Sequence, residues 1–217
     1  LVPARKIEVI PRGRDPQILG RRTPHRRAAT RQRLGVSAGV PLILAVGRQE
    51  PQKGFDLLLR ALPTIQTCFP DVHAVVAGRD GRSTASLSQL ARTLGLGDKV
   101  TFLGMRDDVP DLLSAADVLA FPSLWEGAAG TLQEAMALEC PIVTSRLPSI
   151  VETVDETTAE LVPAGDATAL ASGVLTTLVE RSRTDQRVRA ARRRFEASFT
   201  IGVSASRMAR LYSRVAG

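Results

Sequence analysis

Along the middle of the chain, short continuous apolar runs alternate with longer stretches whose apolar residues recur every three or four positions. The apolar runs cover residues 42–46, 72–77, 100–103, 118–121 and 141–144. The helical patterns between them cover 54–68, 83–94, 109–115 and 131–138. A strand buried on both faces has no polar side to alternate with, so it appears as an unbroken apolar run. Strand and helix in alternation then predict a doubly wound α/β fold: a mainly parallel, Rossmann-like sheet flanked by helices. Residues 6–10 and 159–162 are predicted as further short strands, and 166–180, 185–195 and 203–215 as closing helices. The loosest stretch is 11–24, rich in Arg, Gly and Pro.

With 217 residues, 44% of them apolar, the chain is long enough for a sizeable core. A single domain over 1–217 is expected, its core at about 40–180 and its flanks at 1–33 and 181–217. No apolar run approaches the ~18 residues that span a membrane, and no basic-then-apolar leader opens the chain. Because it begins at Leu1 within strand-like sequence, it is expected to be a piece of a longer protein. Cys68 and Cys140 lie in separate apolar stretches and form no disulfide framework, which points to a reduced, cytoplasmic setting.

Charge changes this picture only at the ends. The net charge of +7 is divided unevenly: residues 1–33 carry +8, 181–194 carry +6, and 34–180 carry −9. Nucleic-acid binding is disfavoured, because the cations avoid the patterned middle and only 4% of residues are aromatic. Part of the basic character is compositional, with 26 Arg against three Lys.

Candidate chemistry gathers where predicted strands meet predicted helices. Glu126 and Glu134 are eight residues apart across a small-residue turn, the first on a loop and the second in the opening turn of a helix. In an open α/β sheet the crevice at the strands' carboxyl ends is where ligands bind, and a helix start attracts phosphate. Glu134 also fits a capping box, Thr131-Leu-Gln-Glu134, with a purely structural purpose. After the first core strand, Gly47-Arg48 and Lys53-Gly54 place two cations across a turn, where they can clamp a diphosphate from two sides. The turn Gly78-Arg-Asp-Gly81 is a weaker phosphate-type candidate, since glycines at such turns mostly serve backbone geometry. His25 and His73 have no cysteine or carboxylate at ligand spacing, so no metal site is expected.

Taken in order, these pieces resemble the C-terminal donor-binding domain of the GT-B retaining glycosyltransferases of family 4, the group 1 glycosyl transferases. The resemblance runs from Ile7 to about Leu211. It comprises Val9-Ile-Pro-Arg-Gly-Arg-Asp15, Val46-Gly-Arg-x4-Lys-Gly-Phe-Asp56, Val100-Thr-Phe-Leu-Gly104 and Ala116-Asp-Val-Leu-Ala-Phe-Pro-Ser123. The Glu126-x7-Glu134 pair and Leu161-Val-Pro-Ala-Gly-Asp166 complete it.

The resemblance implies that Arg48 and Lys53 bind the diphosphate of a nucleotide-sugar donor such as a UDP- or GDP-sugar. Gly47 belongs to the same turn. Backbone amides over Gly127, Ala128, Ala129, Gly130 and Thr131 would hold the same phosphates. Glu134 would bond the ribose hydroxyls, Glu126 would face the sugar, and Met105 and Arg106 would lie against the base. It implies no cofactor and no metal, fixed cations and a helix dipole meeting the leaving group's charge. It also implies a missing N-terminal acceptor domain, without which the isolated chain does not transfer sugar. The anionic inner face of a bacterial membrane, met through the basic flanks, is a further implied partner.

Two departures from the family pattern stand out. Glu139 takes the place of a Gly that commonly ends the Glu134 helix. Ser145-Arg146-Leu-Pro148-Ser149 replaces a Gly-Gly and acidic stretch near the donor sugar, which keeps open a non-catalytic binding or scaffold module as the alternative.

Overall fold

In a computed structural model, which describes residues 7–216, the patterned middle forms one six-stranded sheet. Its strands are β1 (Leu42–Val46), β2 (His73–Ala77), β3 (Val100–Gly104), β4 (Val118–Phe121), β5 (Ile142–Ser145) and β6 (Glu160–Val162). They run in the order β3-β2-β1-β4-β5-β6 with every pairing parallel. Strand order reverses between β1 and β4, which makes their carboxyl ends the topological switch point of the sheet.

Successive residues of each strand feed two separate cores. On one face Leu42, Leu44, Val75, Leu119 and Phe121 pack beneath α5 (Val109–Ala115), α6 (Gly130–Ala137) and α9 (Arg181–Ser198). On the other, Ile43, Ala45, Val76, Val118 and Ala120 pack beneath α3 (Phe55–Gln66), α4 (Thr84–Thr93) and α8 (Ala167–Val179). Burial on both faces is the reason the strands carry no polar alternation. Short helices α1 (Pro16–Leu19) and α7 (Pro148–Val151), together with α2 (Pro24–Arg33) and α10 (Ile201–Ala216), complete the described chain.

The expected strand over 6–10 does not form. Lys6 lies outside the described residues, while 7–10 pair with no sheet edge and leave Ile7 and Val9 exposed. Their neighbours come from α10 instead: Glu8 pairs with Arg214, and Pro11 O accepts from Ser204 Oγ at 2.7 Å. The loose stretch 11–24 is also more ordered than its composition implies. Asp15 caps α1 by accepting from Gln17 N at 2.8 Å, and Thr23 caps α2 by accepting from Arg26 N at 3.1 Å.

Four of the eight described arginines of the N-terminal flank hold α2 against the body. Arg27 and Arg31 meet Asp117 at 2.6 and 3.2 Å. Arg26 and Arg33 meet Asp111 on α5 at 2.6 and 3.0 Å. Arg31 is 3% exposed and also donates to Ser37 O, Val40 O and Ala115 O. On α9, Arg187 pairs with Glu160 and Arg194 with Asp155, while Arg192 donates to Ala137 O at the end of α6. Arg181, Arg189 and Arg193 on the same helix are exposed and make no ion pair among the described residues.

Candidate functional site

The chain leaving β1 turns through a 3-10 segment, Pro51–Lys53, before α3 begins. Gly54 ends that turn at φ 61, with its α-carbon against Pro122 O, where any side chain would overlap. Only glycine satisfies both the left-handed backbone and the close approach. Two hydrogen bonds tie this turn to the loop after β4: Leu124 N to Gln52 O at 2.8 Å, and Gln52 Nε2 to Trp125 O at 2.9 Å. The two strand ends at the switch point are thereby joined.

That joining brings Lys53 and Glu126 together. Lys53 Nζ lies 2.5 Å from Glu126 Oε1, and Ser123 Oγ donates to the same oxygen at 2.7 Å. The Glu126 side chain is only 5% exposed. Lys53 also stands over the Phe121 ring, 5.3 Å from its centroid, and its stem lies against Gly47. Burial of both charges sharpens their attraction, and a third hydrogen-bond partner helps offset their desolvation. Arg48, by contrast, is exposed and makes no ion pair among the described residues. Trp125 is 54% exposed and presents only its backbone carbonyl to the turn.

Helix α6 opens at Gly130 behind the exposed pair Gly127 and Ala128 and the buried Ala129. No side chain caps it; the Gly130 and Leu132 amides donate to Ala128 O and Ala129 O, both at 3.1 Å, which leaves the Thr131 amide to meet an acceptor. The capping box fails for a geometric reason. Ala129 is the N-cap, Thr131 lies inside the first turn, and Glu134 points away to Arg14, with Arg14 Nε 2.9 Å from Glu134 Oε1. Burial raises the Glu134 pKa above the ordinary carboxylate value, and the Arg14 charge opposes that rise.

Glu134 and Arg14 border a cavity of about 980 Å³ whose walls include Asp107, Val109 and Pro110 on one side and Ile201 and Met208 of α10 on the other. Arg48, Lys53 and Glu126 do not line it. Met105, 82% exposed, and Arg106 stand on the loop after β3, just before Asp107. Arg106 is held there by a bidentate pair to Asp108 at 2.8 and 2.6 Å, which keeps the Asp108 carboxyl below its usual range.

The weaker candidate Gly78–Gly81 has a structural purpose. A side chain at Gly78 would overlap Gly47 O, and the Gln49 amide reaches across to Gly78 O and Asp80 Oδ1 at 3.4 and 3.3 Å. Two members of the site carried no sequence signal of their own. Ser123 and Arg14 each belonged to a motif but had no assigned role, and Arg14 was also one of ten cations in a basic flank. Among the described residues, no three His, Cys, Asp or Glu side chains gather as a metal site requires. No described helix is long and apolar enough to cross a membrane.

A parallel sheet in this strand order, with cations and an uncapped helix at its switch point, defines a Rossmann-like half-fold. The chain belongs to the family of glycosyl transferases group 1, which it matches over residues 40–180, and it folds as one half of the GT-B architecture. It is similar to the phosphatidyl-myo-inositol mannosyltransferase of Mycobacterium leprae, 37% identical over 182 residues, covering 80% of this chain and 46% of the relative. The lipopolysaccharide core biosynthesis mannosyltransferase LpsB of Rhizobium meliloti is 30% identical over 167 residues, covering 74% and 48%. The crystal structure of Anabaena HepE in complex with UDP and glucose superimposes with a TM-score of 0.87 at 27% identity, covering 95% of this chain and 56% of that one. The chain therefore spans about half the length of these relatives.

Proposed function

We propose that the chain is the donor-binding half of a retaining glycosyltransferase, taking a nucleotide-diphospho-sugar and, with an acceptor-binding domain, passing the sugar to a hydroxyl. One observation carries the reading: Lys53, Glu126 and the uncapped start of α6 converge at the switch point of the sheet. In this reading Lys53 and Arg48 hold the diphosphate, with Gly47 leaving room for the lysine stem. The α6 amides over Gly127–Thr131 bind the same phosphates, and Glu134 takes the ribose hydroxyls. Glu126 faces the sugar, and Met105 and Arg106 flank the base.

The chemistry needed is stabilisation of charge on the departing nucleoside diphosphate. Preorganised cations and amides supply this in a partly buried site, and the proposal includes no resident metal. Lys53 then exchanges part of its contact with Glu126 for phosphate, and Ser123 keeps the glutamate oriented. The cations left open on α9, Arg181, Arg189 and Arg193, are proposed to meet an anionic membrane surface.

Calorimetry with UDP, GDP and ADP tests the reading on the 217-residue chain. Binding of one of them, weakened about tenfold or more by Lys53→Ala and by Glu134→Ala, is expected from loss of charge-assisted hydrogen bonds. No sugar transfer is expected from this chain alone. A folded chain that binds none of the three would favour the scaffold alternative. One contact points that way: Arg146, on the altered loop after β5, is drawn to Glu156 at 2.6 Å.

A further inference from the structure

Arg14 reaches the donor site from outside the sheet's own loops. Its backbone is clamped at the junction of α9 and α10: Arg14 N donates to Phe199 O and Ile201 N donates to Arg14 O, both at 2.8 Å. A side chain on the neighbouring Gly13 would overlap Thr200 O, so the segment lies flush against that junction. From there the Arg14 side chain crosses to the first turn of α6. Its Nη2 occupies the space a side chain on Gly130 would take, and its Nε faces Glu134 Oε1.

This is a costly place for a cation. The start of a helix carries positive potential, and Arg14 Nε is buried without an aligned hydrogen bond despite the 2.9 Å approach to Glu134. Backbone satisfaction does not account for it; what the side chain gains there is the approach to Glu134. We propose that Arg14 is a positioning residue of the donor site, holding the Glu134 carboxylate ionised and aimed as the acceptor of a ribose diol.

Its role rests on the nucleotide reading above and gives that site a specificity element. A carboxylate presents about four lone-pair directions when ionised and becomes a donor when protonated. Ribose hydroxyls that donate in pairs therefore require the ionised form. Burial works against that form at Glu134, and Arg14 is the charge that counters it. The other charged groups lining the cavity are Arg12, Asp15 and Asp107, and none of them pairs with Glu134. Lys53, in the proposed diphosphate turn, is engaged by Glu126.

Calorimetry with UDP, GDP and ADP, each beside its 2′,3′-dideoxy counterpart and from acid to neutral pH, tests the role. With the ribonucleotide that binds, Arg14→Gln is expected to weaken affinity about tenfold while leaving the dideoxy form nearly unchanged. The loss should deepen as pH falls, because without the guanidinium Glu134 takes up its proton at a higher pH. Arg14→Lys keeps the charge and should restore most of the native pH profile, with circular dichroism confirming that both variants fold.

Equal weakening of the ribo and dideoxy forms would make Arg14 a phosphate ligand and overturn the proposal, as would no weakening at all. A folded native chain that binds no nucleoside diphosphate would instead overturn the nucleotide reading, and the Arg14 role with it.

Discussion

Helix α6 ends on a residue that its backbone conformation disfavours. Glu139 has φ 53, the only positive φ at a non-glycine among the described residues. The hydrogen bonds there form a Schellman motif: Cys140 N donates to Ala135 O at 2.9 Å and Glu139 N approaches Met136 O at 3.4 Å. That motif places its left-handed residue at position 139, where glycine is the usual occupant. An L-residue pays about 1–2 kcal/mol for this conformation. Its acidic side chain adds roughly 0.3 kcal/mol against the negative end of the helix. Glycine gives back about 0.5–1 kcal/mol through its greater freedom when unfolded.

The Glu139 side chain is exposed and makes no ion pair among the described residues, and its carbonyl, which accepts from Arg22 at 2.6 Å, survives any substitution. Glu139→Gly should therefore stabilise the chain by about 1 kcal/mol, or raise Tm by roughly 2–4 °C for a domain of this size. Urea unfolding of Glu139→Gly beside Glu139→Ala separates the causes. Alanine removes the charge and keeps Cβ, so it should stay within about 0.5 kcal/mol of the native chain. An alanine variant as stable as the glycine variant would refute the argument from backbone strain.

Two further outcomes follow from the arginines. Arg31→Met should destabilise by about 2–4 kcal/mol in urea unfolding, since it strips a buried partner from Asp117 and orphans the carbonyls of Ser37 and Val40. A loss below about 0.5 kcal/mol, the level of an ordinary surface substitution, would mean that Arg27 alone suffices. For the membrane proposal, co-sedimentation should favour anionic over neutral vesicles. Replacing Arg181, Arg189 and Arg193 by Gln should weaken that binding about 100-fold, at about 1 kcal/mol per cation near the surface. Equal binding to neutral vesicles would dismiss an electrostatic contact.

The strands were legible because burial on both faces imposes a pattern that needs no partner information. Runs 42–46 and 118–121 coincide with β1 and β4, and α5 coincides with the predicted 109–115. Residues 6–10 misled because Ile7 and Val9 have strand-like composition while the neighbours they meet are on α10. Helix α2 was hidden for the opposite reason. Its sequence is dominated by Arg, and it is held by ion pairs with Asp111 and Asp117, some 80 to 90 residues away in the chain.

The glutamate spacing and the two cation turns were equally visible, but their pairing was not. The sequence by itself determined the α/β alternation, the strand-end location of Arg48, Lys53, Glu126 and Glu134, and the likeness to a glycosyltransferase family. These follow from local periodicity and from motifs contiguous in the chain. Only the tertiary structure decided that Lys53 meets Glu126, 73 residues away, and that Glu134 faces Arg14 rather than capping its own helix. Charges find their partners through the fold's geometry, and the spacing along the chain does not record which strand end or helix turn lies within ion-pair reach.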